Sequence, residues 1–419
     1  MTETSRSIVI IGGGIIGCTT AYYITHHPSY STNIKVTVVE TSAHGAAQGA
    51  SGKAGGLVAR WAYPQPLVDV SFDEHVRLAE LHGGADKWGW RYVNCGSWAG
   101  WGEETTEEST SEHGDCSEKD SLVGWRKSLE KTLGLEKSKR SRQRKDTSFP
   151  SDLNWMHPEL TNSYSPMAPY GDTAQVHPYL FTQNMLRLAQ DCGASFLPST
   201  RATSITTSQS GHVTGVECII THTQTPSEEE IHLNATHVVL AAGAWAPRTR
   251  AHSITIHPPI YSLPIAPYVL FTELSLSTST TRSPVHASPE IYARPGPDGE
   301  VYACGPGDDV ALPDSVDDVV IEPSACDDLW EEVRSVSRIL RAGRVACRQA
   351  CFLPTVMGRR QGPIVGAADT VALGLVVAVG HTCWGICNAP GTALAITECI
   401  MDGEIRCMDL KALRPELFL

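Results

Sequence analysis

The sequence predicts an α/β chain, α+β overall, in which a Rossmann-like unit is joined to a region of antiparallel strands. Three observations predict it. An apolar strand, a glycine-rich turn and a helix-compatible segment open the chain at residues 8–26. Short strands alternating with turns fill residues 251–345. The strand–turn–helix pattern of the opening then returns over residues 375–403. Strand, turn and helix in that order is the pattern of a βαβ unit, and short strands alternating with turns mark a sheet-rich region.

The elements follow in order. Residues 8–11 are an apolar run, GGGIIG occupies 12–17, residues 18–26 have helical spacing, and the β-branched run 36–39 ends at Glu40. That is a βαβ unit of the expected length. Residues 103–120 are rich in Glu, Asp, Ser and Thr, and 137–145 read KSKRSRQRK. Such charge blocks are solvated, so 103–150 is expected to be a flexible polar insertion, with the basic stretch open to an interaction or nuclear-localisation role. Order resumes near Trp155. Residues 178–194 carry a helical apolar period (Leu180, Phe181, Met185, Leu186, Leu188, Ala189) closed by Gly193. A strand at His237–Leu240 enters AAGAW, and two strands, 291–294 and 301–304, flank a Gly/Pro turn. A helix is expected over 325–342, a strand at Leu375–Val379, a turn at 380–385 and a helix at 389–401.

Composition narrows the function classes. At roughly 100–200 residues per domain, 419 residues suit two to four units, or two built from interleaved segments. A net charge of −13 argues against nucleic acid or an anionic membrane as the main partner. Thirteen cysteines, an odd number without regular spacing, read as mostly free thiols of a reducing compartment. No run of about 18 uncharged apolar residues is present to span a bilayer. MTETSRS lacks the apolar region of a secretory signal and ELFL is not a Ser-Lys-Leu address, so a cytoplasmic location is expected.

The first chemistry lies in the glycine turn. Gly12 permits the tight turn, Gly14 lets backbone approach a pyrophosphate, and Gly17 lets the helix pack on the strand. The phosphates then meet the positive end of the helix dipole. Glu40, 23 residues after Gly17, stands where a carboxylate accepts ribose hydroxyls. The pattern admits a nicotinamide or a flavin dinucleotide. After Glu40 comes GASGKAGGL at 49–57, small residues with many free N–H groups that suit a chain lying against a cofactor. No second GxGxxG is present, and the pairs Cys347/Cys351 and Cys383/Cys387 are CxxxC, which weakens zinc and dithiol readings; no metal site is expected.

The opening SIVIIGGGIIGCTTAYYITHHP, the segment GASGKAGGLVARWAYP, TAQVHPYLFT, VVLAAGAW and GHTCWGICNAPGTALAITE together resemble the D-amino-acid-oxidase (glycine/sarcosine oxidase) superfamily. Within it, the chain resembles the fungal topoisomerase-I-damage-affected oxidoreductases, over nearly its whole length apart from 103–150. The resemblance implies FAD and a discontinuous FAD-binding domain of residues 1–72, 172–250 and 346–419. A substrate domain of 73–171 and 251–345, built on an antiparallel sheet, would then lie over the ring. It further implies that Gly12, Gly14, Ile16, Gly17, Glu40 and Thr41 hold the nucleotide. Ser51, Gly52, Ala54, Gly55, Gly56 and Leu57 would line the pyrophosphate and ring, with Ala202, Gly243 and Trp245 on the adenine side. His381, Trp384, Gly385 and Ile386 would close on the flavin from the C-terminal turn, whose following helix can stabilise negative charge on the reduced ring.

The chain departs from the family in two places. Amino-acid oxidases of this type hold the substrate carboxylate with an arginine in a Leu-Arg-Pro-like segment, and here Leu353 stands at that place. Leucine supplies none of the bidentate, charge-assisted pairing. Arg294 is the substitute candidate, set against a surface arginine. Cys351 matches a cysteine that bonds covalently to flavin in sarcosine-oxidase-like members, set against a buried thiol that merely packs; non-covalent FAD is the expectation. His381 is a flavin contact or a base, and Trp384, Tyr292 and Tyr302 are cavity walls or core aromatics. The resulting expectation is an oxidoreductase that removes hydride from the C–N unit of a small amine or imine, including amino-acid-like or specialised-metabolite substrates. Dioxygen would reoxidise the flavin to give hydrogen peroxide. The alternative is a flavin-folded regulatory protein that engages a protein partner through 103–150.

Overall fold

A computed structural model describes residues 5–103, 149–221, 228–245, 248–258, 265–276, 285–295, 299–308, 310–356 and 362–419. Apart from Glu103, Phe149 and Pro150, the expected polar insertion lies outside the described residues. One sheet has the strand order Ile364–Ala367, Leu375–Val379, His237–Leu240, Arg6–Ile11, Ile34–Val39, Ser195–Leu197. All its neighbours are parallel except the first pair. Its strands come from both ends and the middle of the chain.

Both faces of this sheet are covered, which is why its strands read as continuous apolar runs. Ile8, Ile10, Val36 and Val38 face a layer of helices. Val9, Val39 and Val238 face the antiparallel meander Thr200–Thr207, Val213–Thr221, Glu228–Asn234. The helix Ile15–Thr25 is buried along its whole length, so it is apolar on every side and carries no polar stripe. Its threonines Thr19, Thr20 and Thr25 return their hydroxyls to the carbonyls of Ile15, Ile16 and Ala21.

A second, mixed sheet runs in the order Arg344–Pro354, Arg248–His257, Val301–Asp308, Glu290–Ala293, Tyr268–Leu276, Asn94–Trp101, Thr161–Pro166. Its core gathers Trp98, Trp155, Ile254, Leu270, Leu329 and Val333. The expected antiparallel character holds except between Asn94–Trp101 and Tyr268–Leu276, which are parallel. A long intervening chain makes that crossover possible.

Two elements differ from expectation, and one expected domain boundary falls inside a third. The helix expected over 325–342 is two helices, Pro323–Val336 and Arg338–Arg341. Ser337 breaks it with an extended backbone, and its Oγ caps the second helix at Leu340 N, 3.1 Å away. The last helix begins at Gly385 rather than 389. The expected domain boundary at residue 72 falls inside the continuous helix Gln65–His82.

The last helix contains Pro390, and the chain supplies what the proline removes. Without a proline N–H, the Ile386 carbonyl loses its intrahelical donor. His75, on Gln65–His82, donates its Nε2–H to that oxygen at 3.0 Å. Ser71 Oγ bonds both Asn388 O (3.1 Å) and Gly391 N (2.9 Å). These bonds fix the start of the last helix against its neighbour. No helix of the described residues is long and apolar enough to cross a membrane.

Candidate functional site

A cavity of about 690 Å³ opens where the parallel strands end. Ile11 and Gly12, Val39 and Glu40, Ala241, and Val379 and Gly380 line it, each at or just beyond the carboxyl end of a strand, where ligands of open α/β sheets bind. Its volume is within the roughly 300–1,000 Å³ of small-molecule and cofactor sites.

At one end is a cradle that side chains would fill. Gly12 sits at φ 115°, and a Cβ there would collide with the Ala241 carbonyl oxygen. The Glu40 carboxylate accepts from Gly13 N at 2.7 Å and from Ser42 N at 2.9 Å. Burial pushes its pKa above the ordinary carboxylate value, against the pull of those N–H groups. Ser51, in the Ala/Gly/Ser segment, accepts from Ile15 N at 2.9 Å, so this segment lies directly over the first turn of the helix. Thr200, Arg201 and Ala202 from the meander and Ala242–Trp245 complete this end; Trp245 is anchored through Nε1 to the carbonyl oxygens of Pro313 and Asp314.

The other end is walled by the mixed sheet and the C-terminal turn. Phe271, Tyr292, Tyr302, Leu353 and Trp384 line it. Trp384 packs edge-on against Trp61 and Tyr63 at 5.6 Å each. His381 is buried, its Nε2 lies 3.0 Å from Thr392 Oγ1, and burial lowers its pKa to about 4. At neutral pH it is therefore an uncharged imidazole. Burial pushes the Cys351 thiol up to about 11, with Lys53 acting in the opposite direction, so it stays protonated at neutral pH. Lys53 itself gives its Nζ to the Ala350 carbonyl at 3.0 Å.

The cavity gathers nearly every residue the sequence singled out: Gly12, Gly14, Ile16, Glu40, Thr41, Ser51, Ala54, Gly55, Gly56, Leu57, Ala202, Gly243, Trp245, Cys351, His381, Trp384, Gly385 and Ile386 all line it. Three are not among the lining residues. Gly17 serves packing, since a Cβ there would strike the Gly12 carbonyl, and Gly52 likewise lies against the Ala47 carbonyl. Arg294 is neither a cavity residue nor a surface one: it is 6% exposed, with Nε 2.7 Å from Glu300 Oε1 and Nη1 3.3 Å from Ala54 O. It stitches the mixed sheet to the Ala/Gly/Ser segment.

Sequence reasoning missed Glu290 and Cys304. They face each other across paired strands, next to the Tyr292–Tyr302 pair, and all four line the cavity. Tyr292 donates its hydroxyl to Glu290 Oε2 at 2.7 Å, and Cys304 Sγ lies 3.7 Å from the same oxygen. An acid two residues before a tyrosine on an otherwise apolar strand shares that tyrosine's face, which was the available signal.

The family model "FAD dependent oxidoreductase" matches residues 7–399. The chain belongs to this family. It is 30% identical to the Saccharomyces cerevisiae protein TDA3, which is named as an oxidoreductase, with 100% of this chain and 95% of TDA3 covered. A Schizosaccharomyces pombe protein named in the same way is 29% identical, with 99% of each chain covered. Among solved structures, glycine oxidase from Bacillus cereus superposes with a TM-score of 0.63 at 16% identity, covering 95% of this chain and 96% of that one. Iminodiacetate oxidase from Chelativorans gives a TM-score of 0.63 at 17% identity, with 97% and 98% covered. At these identities the likeness establishes the fold. The family's FAD fits the cavity in this chain: side-chain-free backbone at Gly12, the carboxylate of Glu40 and the start of Ile15–Thr25 stand together at one end, and an aromatic wall at the other.

Proposed function

We propose that this oxidoreductase oxidises the C–N bond of an amine or imine that carries no carboxylate at the reacting end. One observation carries the reading: Leu353, which the sequence resemblance puts at the place of the family's carboxylate-binding arginine, lines the cavity wall, and Arg294 is committed to Glu300. A substrate carboxylate beside Leu353 would lose its hydration without gaining a guanidinium fork, and the nearby Lys53 ammonium already donates to the Ala350 carbonyl.

Gly12, Gly14 and the start of Ile15–Thr25 would hold the pyrophosphate of FAD, Glu40 the ribose hydroxyls, and the backbone of Thr200–Ala202 the adenine side. FAD, when bound, supplies a two-electron acceptor for hydride from the substrate carbon, with dioxygen as the terminal acceptor. Gly385 and Ile386 line the cavity at the start of the last helix, whose positive dipole end would stabilise negative charge there. His381, buried and bonded through Nε2 to Thr392, positions the C-terminal turn against the cavity. The aromatic wall of Phe271, Tyr292, Tyr302 and Trp384 excludes water. The protonated state of Cys351 favours non-covalent retention of FAD.

The FAD-loaded protein, assayed in air for peroxide, is expected to turn over benzylamine-type amines faster than the matched α-amino acid, phenylglycine. Faster turnover of the amino acid would overturn this reading.

A further inference from the structure

We infer that Asp317 is a positioning residue for the cofactor: it fastens residues 313–319 as a strap across the nucleotide end of the cavity, and so sets how fast FAD enters and leaves. The inference rests on the FAD part of the reading above and leaves the amine chemistry aside.

The strap comes from the other half of the fold. Residues 313–319 follow the strand Val301–Asp308 of the mixed sheet and precede the helix Pro323–Val336. Glu322 N donates to His252 Nε2 at 3.1 Å, which roots the far end of the segment on the mixed sheet. The segment nevertheless lies against the loops of the parallel sheet. Asp314, Val316 and Val319 line the cavity, and Val316, 8% exposed, sits against the backbone of Gly49.

Two clasps hold it there. The Asp317 carboxylate accepts from Ser42 Oγ at 2.6 Å and from Ala43 N at 2.9 Å, just beyond the strand Ile34–Val39. Trp245, just beyond the strand His237–Leu240, donates its Nε1–H to the carbonyl oxygens of Pro313 and Asp314 at 3.1 and 3.2 Å. In the sheet these two strands flank Arg6–Ile11, which runs into the glycine turn. A segment fastened to both flanks therefore crosses above that turn, where the dinucleotide would lie. The lengths agree. Strands spaced by about 4.8 Å put the two flanks roughly 10 Å apart, and the four residue steps from Pro313 to Asp317 reach up to about 14 Å. The Asp317 clasp also supports the ribose acceptor. Ser42 is fully buried, gives its hydroxyl proton to Asp317, and donates its backbone N–H to Glu40 Oε1 at 2.9 Å.

The test measures FAD exchange: release from the FAD-loaded protein on dilution, and uptake by the same protein stripped of flavin, each followed by rapid filtration. A residue that merely touches FAD changes the release rate alone, whereas a strap that must open slows both steps. Asp317→Ala is expected to speed release and uptake alike, each at least about fivefold, as the loss of one or two hydrogen bonds allows. Asp317→Asn, which keeps an acceptor for Ser42, is expected to fall between that variant and wild type. Asp318→Ala removes the same charge one position along, where the side chain makes no bond among the described residues, and is expected to exchange FAD as wild type does. Trp245→Phe keeps a ring without the donor and is expected to speed both steps, so the inference does not hang on one variant folding. Wild-type uptake rates in Asp317→Ala and Trp245→Phe overturn the strap, whatever their release rates. So does an Asp318→Ala protein as fast as Asp317→Ala, which would assign the effect to charge. Wild type that takes up no FAD overturns the cofactor reading itself, so the two failures are distinguishable.

Discussion

At the residue scale, the cofactor end of the cavity rests on a few positions where one atom decides. Gly17→Ala places a Cβ against the Gly12 carbonyl, backbone against backbone, which cannot relax by a rotamer change. We expect that variant to lose roughly 1–3 kcal/mol of stability and to retain little FAD, measured by melting and by the flavin content of the purified protein. Glu40→Ala removes the acceptor of two backbone N–H groups and, in the role proposed for it, of the ribose hydroxyls. Its FAD affinity should fall at least about tenfold, and unchanged affinity would contradict the assigned role. Precipitation with acid should leave flavin in the supernatant, since Cys351 is a protonated, buried thiol; yellow in the pellet would reassign it as an attachment point. The glycine turn and Glu40 were legible because their chemistry is local, contained in one βαβ unit. Glu290 was not, because its meaning comes from pairing with Cys304 across the sheet. Arg294 was misjudged for a related reason: its partner Glu300 is six residues away and reaches it only once the hairpin has formed.

At the element scale, the last helix is the least sequence-like part of the fold. The expected start is 389, yet the helix begins at Gly385 and carries Pro390 through its second turn. The missing donor comes from His75, more than three hundred residues away, and no local pattern encodes that bond. The same bond positions Gly385 and Ile386 at the cavity. His75→Ala should therefore cost about 1–3 kcal/mol, by leaving the Ile386 carbonyl without a donor, and should weaken FAD binding together with stability. His75→Gln, which keeps a donor, should lose less. Equal melting temperatures for His75→Ala and wild type would show that the proline tolerates an unmet carbonyl. The split of the 325–342 helix at Ser337 was also hidden, because serine reads as a cap only when the chain turns there.

At the scale of the whole molecule, buried histidines set the response to acid. His75 and His381 have pKa values lowered to about 4 by burial, the former against its carbonyl partners. Unfolded histidines take up protons near 6.5 and the folded ones only near 4, so within that window the unfolded state binds more protons. Stability should fall as pH drops through it, by on the order of 3 kcal/mol per histidine, and these two groups add nothing further below it. Glu300 acts lower: burial raises its pKa, but His177 and Arg294 outweigh that and hold it at about 2. Its contribution is full above the ordinary carboxylate range and disappears as pH falls toward 2. Denaturant midpoints at about pH 7 and about pH 5 would check the histidine part, and equal midpoints would contradict it. At this scale the architecture was readable from the sequence, since the strand–turn–helix units at both ends, with the strand His237–Leu240 between them, assemble one mostly parallel sheet. The parallel pairing of Asn94–Trp101 with Tyr268–Leu276 was not, because it joins strands with no local connection.

The most direct test of the central claim is the absorption spectrum of the FAD-loaded protein during anaerobic addition of a panel of primary and secondary amines. Amine oxidation predicts that at least one carboxylate-free amine bleaches the flavin bands and that admitting air restores them. A flavin that stays oxidised with every amine, yet is bleached by α-amino acids, would contradict both the reading of Leu353 and the amine chemistry built on it.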